Sequence, residues 1–459
     1  MYVSIFYLFV NSLLNEGEIK MFNLKSKIFK SLAVGIAFST ILAGCSGNSE
    51  STSGSGSNSN KPVTLTMLLG ETQNTPGFQA VVKKIEEKYN IKTEVEVHPG
   101  GPEGENIMKT RLATGEMADL TIFNSGSLLK TLNPEQHFVD LTNEPFMDKV
   151  SDSYKKVVSE NGKVFGIPAS SSQVGAWLYN KKVYAELGLS VPKTWDELMA
   201  NNEKIKAAGK TAVIGSYATS WTSQLILLAD YYNLQAEEPN FAKDYTKGKA
   251  KYASTPAALR GFEKLQEIGQ KGYMNKDFNA TTYDQAMQML AEGKGVHYPM
   301  LTQALPIIAK NYPDKINDIG VFPQPGDSAD KNGFTTWMPN AVLINNKTEH
   351  LEAAKKWLEF YISPEGLETY ASQSKNIGPF VIEGASVPDD AYEAVKDMMP
   401  YFEEDKVAPA LEFSTPIKGA NLPQITQQVG GNITSAKKAA EMYDKDVEKQ
   451  AQQLGLEGW

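Results

Sequence analysis

A single cysteine, Cys45, occurs in the 459 residues. Intrachain disulfides and zinc sites built from several thiolates are therefore excluded. The four histidines, His98, His137, His297 and His350, are too scattered to suggest a metal cluster. Beyond the N-terminus no apolar run approaches the roughly 18 residues that a membrane-spanning helix needs. Positive charge is in deficit, with 45 basic residues against 54 acidic ones and a net charge of −9, which argues against a broad nucleic-acid-binding face. Catalytic motifs are missing too. Gly209-Lys210-Thr211 ends like a phosphate loop, but Lys204 stands where the first glycine is required, and a helix precedes the triplet instead of a strand. Ser153-x-x-Lys156 and Ser435-x-x-Lys438 have penicilloyl-serine spacing, yet neither Ser-Asp-Asn nor Lys-Thr-Gly completes the set. There is no Gly-x-Ser-x-Gly elbow, no His-Glu-x-x-His and no aspartate-rich calcium loop. The chain does not read as an enzyme, and neither a cofactor nor a metal is expected.

What is present begins with an address. From Met21 the chain reads MFNLKSKIFKSLAVGIAFSTILAGC. Lys25, Lys27 and Lys30 precede a short apolar run, the layout of a secretory signal and not of a membrane span. Its ending, Leu42-Ala43-Gly44-Cys45, resembles the bacterial lipobox, which implies cleavage before Cys45 and lipidation of its thiol. Residues 21–44 are then the signal peptide, and residues 1–20 are expected to lie upstream of the true start. After Cys45, residues 46–61 contain seven serines, three glycines and nothing apolar. Such a segment cannot bury anything and is expected to be a coil with a root-mean-square reach of roughly 20–24 Å.

The body is patterned as α/β. Val63–Leu69 reads as a buried strand, and Phe78, Val81, Val82, Ile85 and Tyr89 repeat at helical spacing. Ile91, Thr93, Val95 and Val97 alternate with polar residues as a second strand, and Asp119–Phe123 follows a helical stretch as a third. Alternating strands and helices predict mostly parallel sheets flanked by helices, with ligands at the carboxyl ends of strands. The loops at 70–73 and 124–127 are thereby singled out. Thr194 with Glu197 forms a capping box opening a helix over 194–208. Ala212–Gly215 and Gly295–Pro299 are short strands, and 349–362 and 436–454 are amphipathic helices. Trp357, on the first of these, has apolar neighbours at helical spacing and belongs in the core.

Two other tryptophans stand among short polar residues. Trp221 lies in Ala-Thr-Ser-Trp-Thr-Ser-Gln and Trp337 in Gly-Phe-Thr-Thr-Trp-Met-Pro-Asn. A flat ring beside hydroxyl and amide groups suits a sugar, whose C–H face stacks on the ring while its hydroxyls are hydrogen-bonded. From Val63 onward the chain also resembles the family 1 extracellular solute-binding proteins, the sugar-binding lipoproteins of ABC importers. The matching stretches include KTRLATGEMADLTIFNSGSL, LYNKKVYAELGLSVPKTWDEL, AEGKGVHYPM and AVLINNKTEHLEAAKKWLEFYISPEGLETYA.

The resemblance implies a two-lobed, type II periplasmic-binding-protein-like α/β fold that closes on its ligand. It places residues 62–172 and 319–342 in an amino lobe, and 173–318 and 343–459 in a carboxyl lobe. Set against the maltose-binding members, it marks Glu71, Gln73, Asn124, Gln173 and Trp221 as ligand contacts. Gln173 replaces an acidic contact, and Leu301-Thr302-Gln303 occupies the place of a stretch leading to a stacking tryptophan. The platform is then expected to come from Trp337 and Trp177, with Gln303 and Tyr298 as further candidates. The implied function is capture of a carbohydrate, an oligosaccharide, by a lipid-anchored monomer on the outer face of the cell membrane, for delivery to a permease powered by an ATPase on another chain. Two alternatives stand beside it: a secreted glycan hydrolase, and a metal receptor using Tyr231-Tyr232.

Overall fold

In a computed structural model of the protein, residues 62–459 apart from Ser386 are described. Cys45, the signal segment and the serine-rich stretch fall outside them. The chain opens with β1 (Val63–Gly70), the helix Pro76–Tyr89 and β2 (Ile91–His98), as the periodicities predict. Thr75 caps that helix by accepting from the Phe78 amide, Pro76 sits at its first turn, and Asn90 ends it in the left-handed region. The helix Pro102–Thr114 leads to β3 (Leu120–Phe123). A two-residue hairpin, β4 (Ser159–Glu160) and β5 (Lys163–Val164), precedes β6 (Gly166–Pro168) and the long β7 (Gln173–Asn180). Then come β8 (Thr211–Val213), β9 (Gly295–Leu301), β10 (Ile319–Pro323), β11 (Phe334–Trp337), β12 (Ala341–Ile344) and β13 (Val407–Pro409).

These strands form two sheets. The first has the order β2-β1-β3-β12-β6; the second runs β13-β11-β7-β9-β8, with β10 also paired to β7. Each contains one strand opposed to the rest: β12 runs antiparallel to β3 and β6, and β7 runs antiparallel to β9, β10 and β11. Each is the strand by which the chain enters that sheet from the other. The remaining carboxyl ends therefore point one way in each lobe, and the amino ends of β7 and β12 join them at the same edge.

One core underlies the first sheet, and two cover opposite faces of the second. Along β7 the pleat sends Trp177 and Tyr179 into one of these cores and Val174, Ala176 and Leu178 into the other. Trp357 is fully buried, stacked on Tyr361 at 4.9 Å, with its indole N–H donated to Thr93 Oγ1 at 3.0 Å. Asp119 is a structural acceptor for the Thr66 amide and hydroxyl and for Thr348.

The expected division of the lobes needs correction. Residues 319–337 do not belong with the amino lobe, because β10 and β11 hydrogen-bond to β7 in the carboxyl sheet. Nor does the chain stay in the carboxyl lobe after 342. Residues 341–344, the helix Leu351–Tyr361 and Val381–Ile382 fill the amino core, and from Val387 onward side chains return to the carboxyl cores. Strand pairing decides this, and apolar periodicity reads the same in either lobe.

Candidate functional site

The edge where the strand ends meet borders a cavity of about 1220 Å³, counting its open mouth. From the first lobe come Gly70 at the end of β1, Thr72 and Gln73 in the turn after it, and Asn124 and Ser125 after β3. His98 at the end of β2, the Gly100-Gly101 turn and Glu105 on the helix Pro102–Thr114 complete that wall. The second lobe contributes Trp221 and Gln224 from the turn Ser220–Gln224, Leu301 and Gln303 after β9, and Trp337 at the end of β11. Glu412, Phe413 and Lys418 close the far side, and Gln173 and Asn340 lie where the chain crosses between the sheets.

Trp221 is half-buried, its ring tilted against Tyr283 at 5.4 Å. It lies directly against the opposite lobe. A Cβ placed on Gly100 would be 3.4 Å from the Trp221 indole nitrogen, and one on Gly101 would be 3.5 Å from the Trp221 Cβ. Gly101 also has φ +72°, so glycine suits this turn on both counts. Trp337 sits lower, 7% exposed, with its ring laid over Gly175 of β7, where a Cβ would come within 2.5 Å of it. Its indole N–H donates to Glu412 Oε1 at 2.6 Å, and Lys418 Nζ reaches the other oxygen of Glu412 at 2.5 Å. Across the cavity burial raises the Glu105 carboxyl above its ordinary value, against the pull of Lys109 and Lys418.

Three buried polar atoms on the lining have no hydrogen-bond partner: Gln173 Oε1, Gln224 Oε1 and His98 Nε2. His98 Nδ1 lies 2.6 Å from the Pro99 carbonyl, which can only accept, so Nδ1 carries a proton and Nε2 is the atom left without a partner. Buried groups without partners are uncommon, because each loses its hydration without compensation. Here they cluster in one cleft.

Of the residues singled out from the sequence, Gln73, Asn124, Gln173, Trp221, Gln303 and Trp337 line the cavity together. Glu71 is exposed at its rim, a carboxylate oxygen 3.8 Å from where a Gly100 Cβ would be. Trp177 and Tyr298 require correction. Trp177 is fully buried, parallel to Phe322 at 6.2 Å, and donates its N–H to Gln324 beneath the sheet. It follows Gln173 by four residues along β7, on the same face but well inside the strand. Tyr298 faces Leu178 across the ladder, is 1% exposed, and shares a hydrogen bond with Ser216 Oγ at 2.8 Å. Both are core residues, packed by strand register.

His98, Glu105, Gln224, Glu412 and Lys418 were not anticipated. Gln224 could have been, since it ends the same polar stretch as Trp221. Glu412 and Lys418 carry no local signal; they reach the cleft only because β13 pairs with β11. Tyr231 is buried on a helix, and among the described residues no group of histidine, cysteine and carboxylates is placed to hold a metal ion.

The sequence profile of the bacterial extracellular solute-binding proteins matches residues 70–368. A multiple sugar-binding protein of Streptococcus mutans is 25% identical over 346 residues, covering 72% of this chain and 77% of the relative. Among solved structures, a chitin oligosaccharide binding protein superposes with a TM-score of 0.73 at 20% identity, over 85% of this chain and 99% of that one. The solute-binding protein RafE in complex with raffinose gives 0.69 at 22% identity, over 84% and 100%. With its two α/β lobes and a cleft at their strand ends, this chain belongs to the bacterial extracellular solute-binding protein family.

Proposed function

We propose that the protein is an extracytoplasmic receptor that captures a carbohydrate between its lobes and delivers it to the permease of an ABC importer. The observation that carries this reading is Trp221, an aromatic ring borne by one lobe and set against the Gly100-Gly101 turn of the other, lining the same cavity as unpartnered hydrogen-bonding atoms. A ligand held there touches both lobes only when they are shut, so its binding energy selects the closed state. The sugar-binding names and ligands of the relatives agree with this assignment.

The ligand is an oligosaccharide. The main cavity continues past Gln73, Gln173 and Gln303 into a second, smaller recess lined by Thr75, Ser170, Ser171 and Tyr370. A single ring stacked on Trp221 would leave that hydroxyl-lined extension unused. Lipidation at Cys45 tethers the receptor, which works as a monomer, to the outer face of the membrane; the energy of transport comes from an ATPase on a separate chain.

Titration of the mature protein with a glycan panel, followed by tryptophan fluorescence and small-angle scattering, tests the reading. Binding of an oligosaccharide with contraction of a monomeric particle is expected. Silence towards every carbohydrate, with a response to an amino acid or a polyamine, refutes the ligand class. Recovery of a bound glycan in cleaved form would instead favour a hydrolase.

A further inference from the structure

We propose that the cleft admits uncharged saccharides and excludes those bearing carboxylates, with Glu105 and Glu412 as the discriminating groups. This rests on the carbohydrate reading above. The charged side chains lining the main cavity are Glu105, Glu412 and Lys418. Recognition of a carboxylate normally requires a lysine or arginine free to form charge-assisted hydrogen bonds. Lys418 is already committed: its ammonium lies 2.5 Å from Glu412, and the pair is 13% and 8% exposed. Glu412 is held from its other oxygen by Trp337, so the three form a closed unit with no spare positive charge. The cation on the extension, Lys375, bonds the Asp390 carbonyl and lies 3.3 Å from its carboxylate.

The uncommitted polar atoms tell the same story. Gln173 Oε1 and Gln224 Oε1 belong to residues only 9% exposed, and both accept. A sugar hydroxyl can donate to each of them. A carboxylate has no proton to give to either oxygen. Glu105 adds to the penalty. Its partner Lys109 is 3.9 Å away, and burial holds the Glu105 carboxyl above its ordinary value. A second anion in the same space worsens an electrostatic position that is already unfavourable, which is discrimination by a repulsive element.

The experiment is calorimetric titration of the mature protein at pH 7.5 with matched pairs. The best neutral binder from a set including raffinose, stachyose, chitotriose, xylotriose and galactotriose is compared with its derivative oxidised at C6 to a carboxylate (or, for xylotriose, with a glucuronic-acid-bearing xylotriose). Trigalacturonate is run beside galactotriose. At least a tenfold weaker affinity for the acidic member is expected. Glu105→Gln, on the cavity wall, should bring the pair to within about threefold, read as the acidic-to-neutral affinity ratio within the variant so that a change shared by both members does not count. Glu412→Gln should act the same way if it remains folded by its thermal melt; Glu105→Gln decides the matter if it does not. Equal or tighter binding of the acidic member, with the neutral one bound, would overturn the proposal and leave the carbohydrate reading standing. Discrimination that Glu105→Gln fails to relax would overturn the assignment to these carboxylates. Absence of binding by every neutral and acidic sugar would remove the carbohydrate reading itself.

Discussion

Trp221→Ala and Trp177→Ala form a paired test, because both residues were candidates from sequence and the structure separates them. Trp221 is half-buried at the mouth between the lobes, and a stacked sugar would cover roughly half of its ring. A tryptophan offers about 150–250 Å² of side-chain surface. Covering half of it at about 25 cal/mol per Å² contributes about 2–3 kcal/mol. Its loss should weaken binding roughly 20- to 150-fold. Folding should suffer little, since Tyr283 remains to cover the carboxyl core beneath. Trp177 is the reverse case, stacked on Phe322 and edge-on to Trp195 and His297 with no exposed surface. Its truncation should destabilise the protein by about 3–5 kcal/mol while affinity, measured well below the melt, stays near normal. Calorimetric titration and chemical denaturation of both variants, without ligand in the second assay, read the two quantities separately. A collapsed melt for Trp221→Ala with normal residual affinity would refute the stacking role. Near-identical behaviour of the two variants would show that burial in this fold does not distinguish site from core.

Lys418→Met leaves Glu412 buried without its cation and should lower stability by about 3 kcal/mol in urea denaturation, with Lys418→Met/Glu412→Gln recovering most of it; no recovery would argue against the pair. His297 is buried between Tyr184 and Asn202, and burial lowers its pKa from 6.5 to about 3. The folded state thus keeps it neutral while the unfolded chain takes up a proton below about pH 6.5. Its contribution is complete above that pH and is lost towards pH 3 at up to about 1.4 kcal/mol per pH unit. His297→Gln should flatten this acid slope in denaturation series at pH 7.5, 5.5 and 4.5, and equal slopes would contradict the assignment. Cys45→Ser should abolish incorporation of labelled fatty acid and leave ligand affinity unchanged, and continued labelling would refute lipidation at this thiol.

Local pattern alone was sufficient for much of the fold. The strand–helix–strand opening, the Thr194–Glu197 capping box and the core position of Trp357 depend on contacts within a few residues, where sequence spacing and spatial spacing coincide. The polar setting of Trp221 likewise reports its position, because short hydroxyl residues around a large ring leave little apolar surface to bury. Other features depend on which strands pair across long separations. Sheet membership of β10 and β11 follows from their bonds to β7, about 140 residues or more away in sequence, and no periodicity encodes that choice. Register decides the same way whether a polar or aromatic residue faces the cleft: Gln173 at the start of β7 lines it, and Trp177 four residues on is sealed beneath the sheet. Glu412, Lys418 and Glu105 acquire meaning only when two lobes bring them to one cavity, because a charge in isolation reads as surface. The sequence determines the elements and their apolar faces, through short-range sterics and hydrophobic burial. The tertiary structure determines the site, since its electrostatics arise between residues that only long-range strand pairing brings together.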